Sequence, residues 1–463
     1  MTGGRRTGTA VRAALGTLVG LAAAAVLPLA PAAPARALAP AQDHASAPAP
    51  SRTPLRHVVI MTQQGHTFDN YLGSRPGTGG LPEVCLPGAT ASSPCVAPHP
   101  ISGSPHAALP ATAAGQRTSV AGGRMNGFVR AQALHGSSGR VAMGYYATKR
   151  LPILNGLADR GVVFDRWFAA VPGGSVANDL FAVAATAPGA VSAVPAKGWG
   201  DTPLIFDRLR AGGVSWKVYV ENYEADSTIR TAKGSDQHVQ GQVARVPLLA
   251  ENRWLGASLR GHVVPLSSYY QDLARDALPQ VALVVTTQHT EKPPQDPISG
   301  QAVVRGVANA LLGSSAQRDS VFFLTYADPG GWYDHVAPIA APGGAGRGLR
   351  VPTVAISPYL RAGTVDHTTL DSAALLKLIE QNWALPPLTS RDRDAPNLLA
   401  RFTFRAAPNR PALVGVTPTS APPHVPDRLV LYVGYLGVLF LGAACVSAIV
   451  WRTRRVPRVG DSS

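Results

Sequence analysis

Short apolar runs punctuate this chain and alternate with helical patterns. "HVVIM" (57–61), "VALVVT" (281–286), "VFFLTY" (321–326) and "VPTVAIS" (351–357) carry almost no polar position. Runs of that length, rich in Val, Ile and Phe, predict strands buried on both faces, as in a parallel sheet. Between them the apolar positions recur at helical spacing, predicting helices over 141–160, 177–187, 203–212, 302–313 and 369–384. Strands alternating with helices predict an α/β layered architecture, with helices on both faces of the sheet. In such sheets the chemistry gathers at the carboxyl ends of the strands, which directs attention to 62–70, 287–291 and 327–335.

The pattern changes at the two ends. Arg5, Arg6 and Arg12 precede an apolar stretch from Ala13 to Ala30, and Ala35, Ala37 and Ala39 follow at alternate positions. A charged region, an apolar region and small residues before a cleavage point predict a signal peptide over 1–39. The Arg5–Arg6 pair leaves general or twin-arginine export open. Residues 40–53, rich in Ala and Pro, read as linker, 54–405 as the folded domain and 406–427 as a Pro-rich stalk. "LVLYVGYLGVLFLGAACVSAIV" (429–450) carries no charge. It is long enough to cross a bilayer, with Tyr432, Tyr435 and Trp451 near its ends. The basic "WRTRR" after it predicts a cytoplasmic tail over 452–463 and an external domain, hence a single-pass protein of the cell membrane with its transmembrane helix at 428–451.

Composition adds limits. The formal charge is +15 over 463 residues, but it falls to +8 without the arginines and the aspartate of the two ends. No run of five basic residues occurs between them, which argues against nucleic acid as a partner. Of three cysteines, Cys445 lies in the apolar tail segment, leaving Cys85 and Cys95 around "CLPGATASSPC" as a predicted disulfide of an exported domain.

Ser175 is the first candidate for chemistry. It opens an apolar helical pattern, where a hydroxyl meets unpaired backbone N–H groups that stabilise an anion. A nucleophile fits that position, and so does a simple helix cap.

Seven segments in order then resemble one family. "VVIMTQQGHTFDNYLG" (58–73), "MNGFV" (125–129), "DRWFAAVPGGSVAND" (165–179), "PLIFDRLRAGGVSWKVYVENY" (203–223), "LPQV" (278–281), "YADPGGWYDHV" (326–336) and "RVPTVAISPYLRAGTVDHT" (350–368) follow the motifs of the bacterial phosphoesterases, which include phosphatidylcholine-type phospholipases C and acid phosphatases. The resemblance implies an alkaline-phosphatase-like α/β/α sandwich that hydrolyses phosphate esters, with a phosphate ester or phospholipid as partner. It implies Ser175 as nucleophile, Asn178 and His335 as catalytic, and His289 and Asp334 as substrate-binding residues.

The resemblance also implies one divalent metal, and here the chain departs. The family's Glu-Asn reads Gln64-Gly65, and its Asp-Glu or Asp-Asp reads Ala327-Asp328. Gln64 and Asp328 are what remains of that metal set, short of the anionic oxygens a hard cation needs. The family's His before Pro falls on His289 or Lys292, its Asp in the second motif is Asn126, and its Arg after Asn178 is Asp179. Three readings follow: a hydrolase with a site rebuilt around His66, His289 and His335, with zinc as the metal such nitrogens would prefer; a degenerate fold that binds phosphate esters at the cell surface; or a structural surface protein. The polar stretch 222–260 reads as a lid or a partner-binding loop.

Overall fold

The computed structural model describes residues 48–415 apart from 105–108, 110, 137, 189–191, 226, 233–236, 255–260, 342–345 and 406–409. The leader, the apolar segment 429–450 and the tail lie outside the described residues. Among the described residues no helix is long and apolar enough to cross a membrane.

Among the described residues ten strands form in chain order: β1 His57–Gln63, β2 His99–Pro100, β3 Gly144–Tyr145, β4 Val162–Phe164, β5 Trp216–Val220, β6 Val263–Pro265, β7 Val281–Val285, β8 Ser320–Tyr326, β9 Thr353–Ile356 and β10 Thr364–Asp366. β2 and β3 pair by themselves, and the other eight make one sheet in the order β10-β4-β9-β8-β1-β7-β5-β6. The four apolar runs are the four central strands by sequence content, and all seven residues of β8 are buried. Each buried Val, Leu or Phe side chain among them contributes about 1.5–3 kcal/mol through burial.

One expectation needs correction. The run at 351–357 was expected to join a parallel sheet, but β9 lies antiparallel to both β8 and β4. An apolar run reports burial on two faces and carries no information on strand direction. The long connection 327–352 between β8 and β9 brings the chain back from the edge where β8 ends.

Alternation along the strands sorts the side chains into two layers. Ile60, Thr62, Val281, Val285 and Thr325 line a cavity shared with the helices Ser175–Ala184, Ile205–Ala211 and Ser372–Trp383. Gln63 and Tyr326 point the other way, toward Glu291 and the helix Pro297–Leu312. The result is a helix–sheet–helix sandwich, as predicted. Helix starts are legible locally: Asp296 accepts from the Ile298 N–H just before Pro297, and Asp371 accepts from the Ala373 N–H. The predicted helix at 141–160 is shorter, Pro152–Arg160, because β3 and two single turns take the preceding residues.

Cys85 and Cys95 are joined by a disulfide, as expected.

Candidate active site

β1 and β8 are neighbours in the middle of the sheet, with Gln63 opposite Tyr326. The chain therefore leaves both strands side by side, and the two motif segments meet. Ala327 N–H donates to Gln63 O at 2.8 Å, and Gly65 N–H donates to Asp328 O at 3.0 Å. β7 ends on the other side of β1, where Gln64 N–H donates to Thr290 O. Three loops distant in sequence thus converge on Gln64, Gly65, Asp328 and residues 286–292.

Ser175 opens the helix Ser175–Ala184. Its helix is capped by Gly174, and no side chain makes a capping bond. The cap reading of Ser175 is therefore corrected: its hydroxyl is not spent on the helix terminus, and it makes no hydrogen bond among the described residues. Asn178 closes the loop before it. The Asn178 Oδ1 accepts from Val171 N–H at 3.1 Å, and Nδ2 donates to the carbonyls of Val171 and Gly174. That bonding positions the Ser175 backbone.

One turn along, Asp179 forms a buried, two-pronged pair with Arg245 at 2.5 and 2.7 Å. Burial pushes the Asp179 carboxyl up to about 6 against the pull of Arg245. Arg245 also donates to Thr62 O at 2.7 Å and Thr286 O at 3.2 Å, tying the helix to the ends of β1 and β7. Arg245 comes from the helix Gln237–Arg245 in the polar stretch expected to be a lid or partner loop. That part of it is a strut. The charge reversal at 179, Asp for the family's Arg, was the sequence signal that a cation had to come from elsewhere.

His289 belongs to a second device. Glu221, at the end of β5, accepts the backbone N–H groups of Thr287, Gln288 and His289 at 3.0–3.1 Å with one carboxylate oxygen. Its other oxygen meets His289 Nδ1. These bonds hold the Glu221 carboxyl below its ordinary range despite partial burial. With Nδ1 engaged, His289 presents Nε2 outward from a side chain 42% exposed. Glu221 sat inside the "VYVENY" segment, and an acid directly after a strand was its only mark.

Asp69, Asp334 and His335 form another cluster, their donor atoms within 4.8 Å of one another. Carboxylates and an imidazole at that spacing are of the kind that holds a metal ion. Here Arg350 already binds both acids, Nη2 to Asp69 Oδ1 at 2.8 Å and Nε to Asp334 Oδ1 at 2.9 Å. His335 engages Asp69 Oδ2 through its N–H and Nδ1. Asp334 also accepts from the Val336 N–H. Burial pushes the Asp334 carboxyl upward, with Arg350 opposing.

The zinc reading of three histidines does not hold geometrically. His66 is fully buried between Tyr71 and Trp332, its ring nitrogens engaged by Asn70 Oδ1 and Glu291 O. Burial lowers its pKa to about 4. His289 pairs with Glu221 and His335 with Asp69, and the three do not group together.

The site of the family's metal is assembled but stripped. Among the described residues of the motif positions Asp328 is the one carboxylate; Oδ1 accepts from Gly330 N–H, and Oδ2 is buried with no partner among the described residues. Gln64 adds a neutral amide, while Gly65 and Ala327 add no side-chain donor. One carboxylate and one amide do not fit a hard divalent cation.

A family model described as "Phosphoesterase family" matches residues 55–386. The chain belongs to this family. Phosphoesterase relatives include Phospholipase C B of Mycobacterium tuberculosis, 26% identical over 426 residues, which cover 77% of this chain and 79% of that protein. Non-specific phospholipase C1 of Arabidopsis thaliana is 24% identical over 414 residues, 77% of this chain and 72% of that protein. A solved alkaline phosphatase superfamily protein from Vibrio parahaemolyticus matches 75% of this chain and 72% of its own at 12% identity, with a TM-score of 0.37. That structural likeness is too low to carry weight beside the phosphoesterase match.

Proposed function

We propose that this phosphoesterase hydrolyses phosphate esters of the phospholipid type, with Ser175 as nucleophile, on an alkaline-phosphatase-like sandwich. The observation that carries the reading is the Ser175 hydroxyl: it stands at the first position of a helix with capping and hydrogen-bonding capacity unspent. Family membership and the phospholipase C relatives support the substrate class.

Ser175 Oγ passes its proton to His289 Nε2 and attacks phosphorus, forming the O–P bond as the ester P–O bond breaks. The leaving alkoxide takes a proton, and water later cleaves the phosphoserine. His289 Nε2 is the group suited to move these protons, with Glu221 holding its other nitrogen. The helix N-terminus favours the phosphoryl oxygens. Asn178 keeps the 171–174 loop in register with the nucleophile. Asp334 is fully buried and bonded to Arg350, so it holds its own cluster together and does not meet the substrate.

Export and anchorage through 429–450 complete the proposal, on the strength of the charge and hydropathy pattern. Carbonate extraction of membranes tests it: release of the protein without detergent would end the anchored reading.

The loss of carboxylates at Gln64 and Ala327 favours one second reading, a surface binder of phosphate esters without turnover. Release of phosphocholine from phosphatidylcholine vesicles, and of nitrophenol from nitrophenyl phosphodiesters, decides between them. The hydrolase reading expects turnover that Ser175→Ala abolishes. Affinity without turnover, unchanged by Ser175→Ala, would leave the binder.

A further inference from the structure

Resting on the phosphate-ester reading of this site, the geometry points to Lys292 as its resident cation, in the role a divalent metal holds elsewhere in the family. The site is then an anion site that works without metal.

Gly65 stands where the family has Asn, with φ at +80°. Asn tolerates that left-handed conformation, so backbone shape alone does not require glycine there. What requires it is Lys292. A Cβ on residue 65 would lie 2.9 Å from Lys292 Cγ and 3.0 Å from its Cα and Cβ. The lysine stem fills the space that a side chain at 65 would use. The amide lost from position 65 is thus replaced in space by a chain ending in an ammonium.

The charges agree with this exchange. Carboxylates are missing at 64 and 327, and Asp328 alone remains. Its Oδ2 is completely buried and has no hydrogen-bond partner among the described residues. Lys292 is half-buried, and its ammonium makes no hydrogen bond or ion pair among the described residues. Asp179, one turn below Ser175, feels the charges of Arg245, Asp328 and Lys292 together, which sets all of them in one neighbourhood. A single ammonium balances a single carboxylate, whereas a divalent ion would leave the buried pocket with excess positive charge. The compact Lys head group also binds phosphate as a point charge, without the geometric demand of a bidentate fork. The helix N-terminus at Ser175 adds donors of the same sign.

The test is titration of inorganic phosphate into the full chain after chelation, with metal content checked by plasma mass spectrometry. Phosphate affinity is expected to stay within about twofold with or without added Mg, Ca, Mn or Zn, because no ligand set for them remains. Lys292→Met and Lys292→Gln should each weaken phosphate at least about tenfold, while Lys292→Arg keeps most of the affinity. Two neutral variants guard against one that does not fold, and the metal arm needs no variant. Phosphate binding that appears only with a divalent ion, or that survives both neutral variants, would overturn the proposal. Lys292-dependent binding without ester turnover would keep it and remove the hydrolase reading; zinc-dependent turnover would do the reverse.

Discussion

Two polar clusters lie along the same edge of the sheet, and their charged atoms are used differently. In the Asp69–Asp334–Arg350–His335 cluster each acid binds Arg350 and further donors inside the protein. Around Ser175 the opposite holds. Among the described residues the Ser175 hydroxyl, the Lys292 ammonium and Asp328 Oδ2 have no partner, and His289 shows one ring nitrogen to solvent. Burying an uncompensated polar atom costs about 1–3 kcal/mol, more for a charged one. A fold tolerates that cost where a ligand supplies the missing partners. The saturated cluster contributes to stability, and the unsaturated one is where binding can occur.

This contrast can be broken by substitution. The largest expected effect is on stability, at Arg350. Its removal leaves two buried carboxylates facing each other, so Arg350→Met should cost about 3–5 kcal/mol, read from urea denaturation midpoints. A cost below about 1 kcal/mol would mean the cluster is not a buried ion-pair network.

Next in size is the Glu221–His289 pair, read in turnover. His289→Gln should lower kcat by about a hundredfold or more, the usual range for a lost acid–base group. Glu221→Gln should act in the same direction but less, and should move the pH profile of kcat/KM because the imidazole loses its anionic partner. Equal kcat in His289→Gln and parent would remove His289 from the mechanism.

Buried groups beside the site give a pH signature of about 2–3 kcal/mol. Glu291 is fully buried among Tyr71, Tyr326, Gln63 and Gln301 with no cation bonded to it, and burial raises its carboxyl to about 7. Its folded pKa exceeds its unfolded one, so its favourable contribution is complete below about 4.5 and is lost as pH rises toward 7. His66 is the reverse: depressed to about 4, it contributes above 6.5 and loses that contribution as pH falls. The two offset in the parent. Glu291→Gln should therefore gain on the parent as pH rises from 5 to 7.5, in paired denaturation curves. A pH-independent difference would show that Glu291 is not protonated in the fold.

The smallest effect sharpens the contrast from the other side. Ser175→Ala removes a hydroxyl with no partner, so stability should change by no more than about 0.5 kcal/mol. A larger loss in calorimetry would show that the hydroxyl is part of the scaffold.

Much of this was legible before any coordinates. The four apolar runs announced the central strands because burial on both faces excludes polar residues. Motif order announced the family, and the missing acids at 64 and 327 announced a site without its usual metal ligands. Local sequence also supplied the Cys85–Cys95 pairing.

Tertiary structure alone decided the rest, because it depends on which distant segments meet. Strand direction at β9 is set by a connection, not by hydropathy. Arg245 reaches Asp179 across 66 residues, and Glu221 reaches His289 across 68. Whether an acid is spent or unspent is likewise a property of its neighbours. Asp69 and Asp328 look alike in sequence, yet one is bound by Arg350 and the other keeps an unpartnered oxygen. Composition and periodicity report burial and local conformation, whereas charge pairing is decided by contacts between residues far apart in the chain.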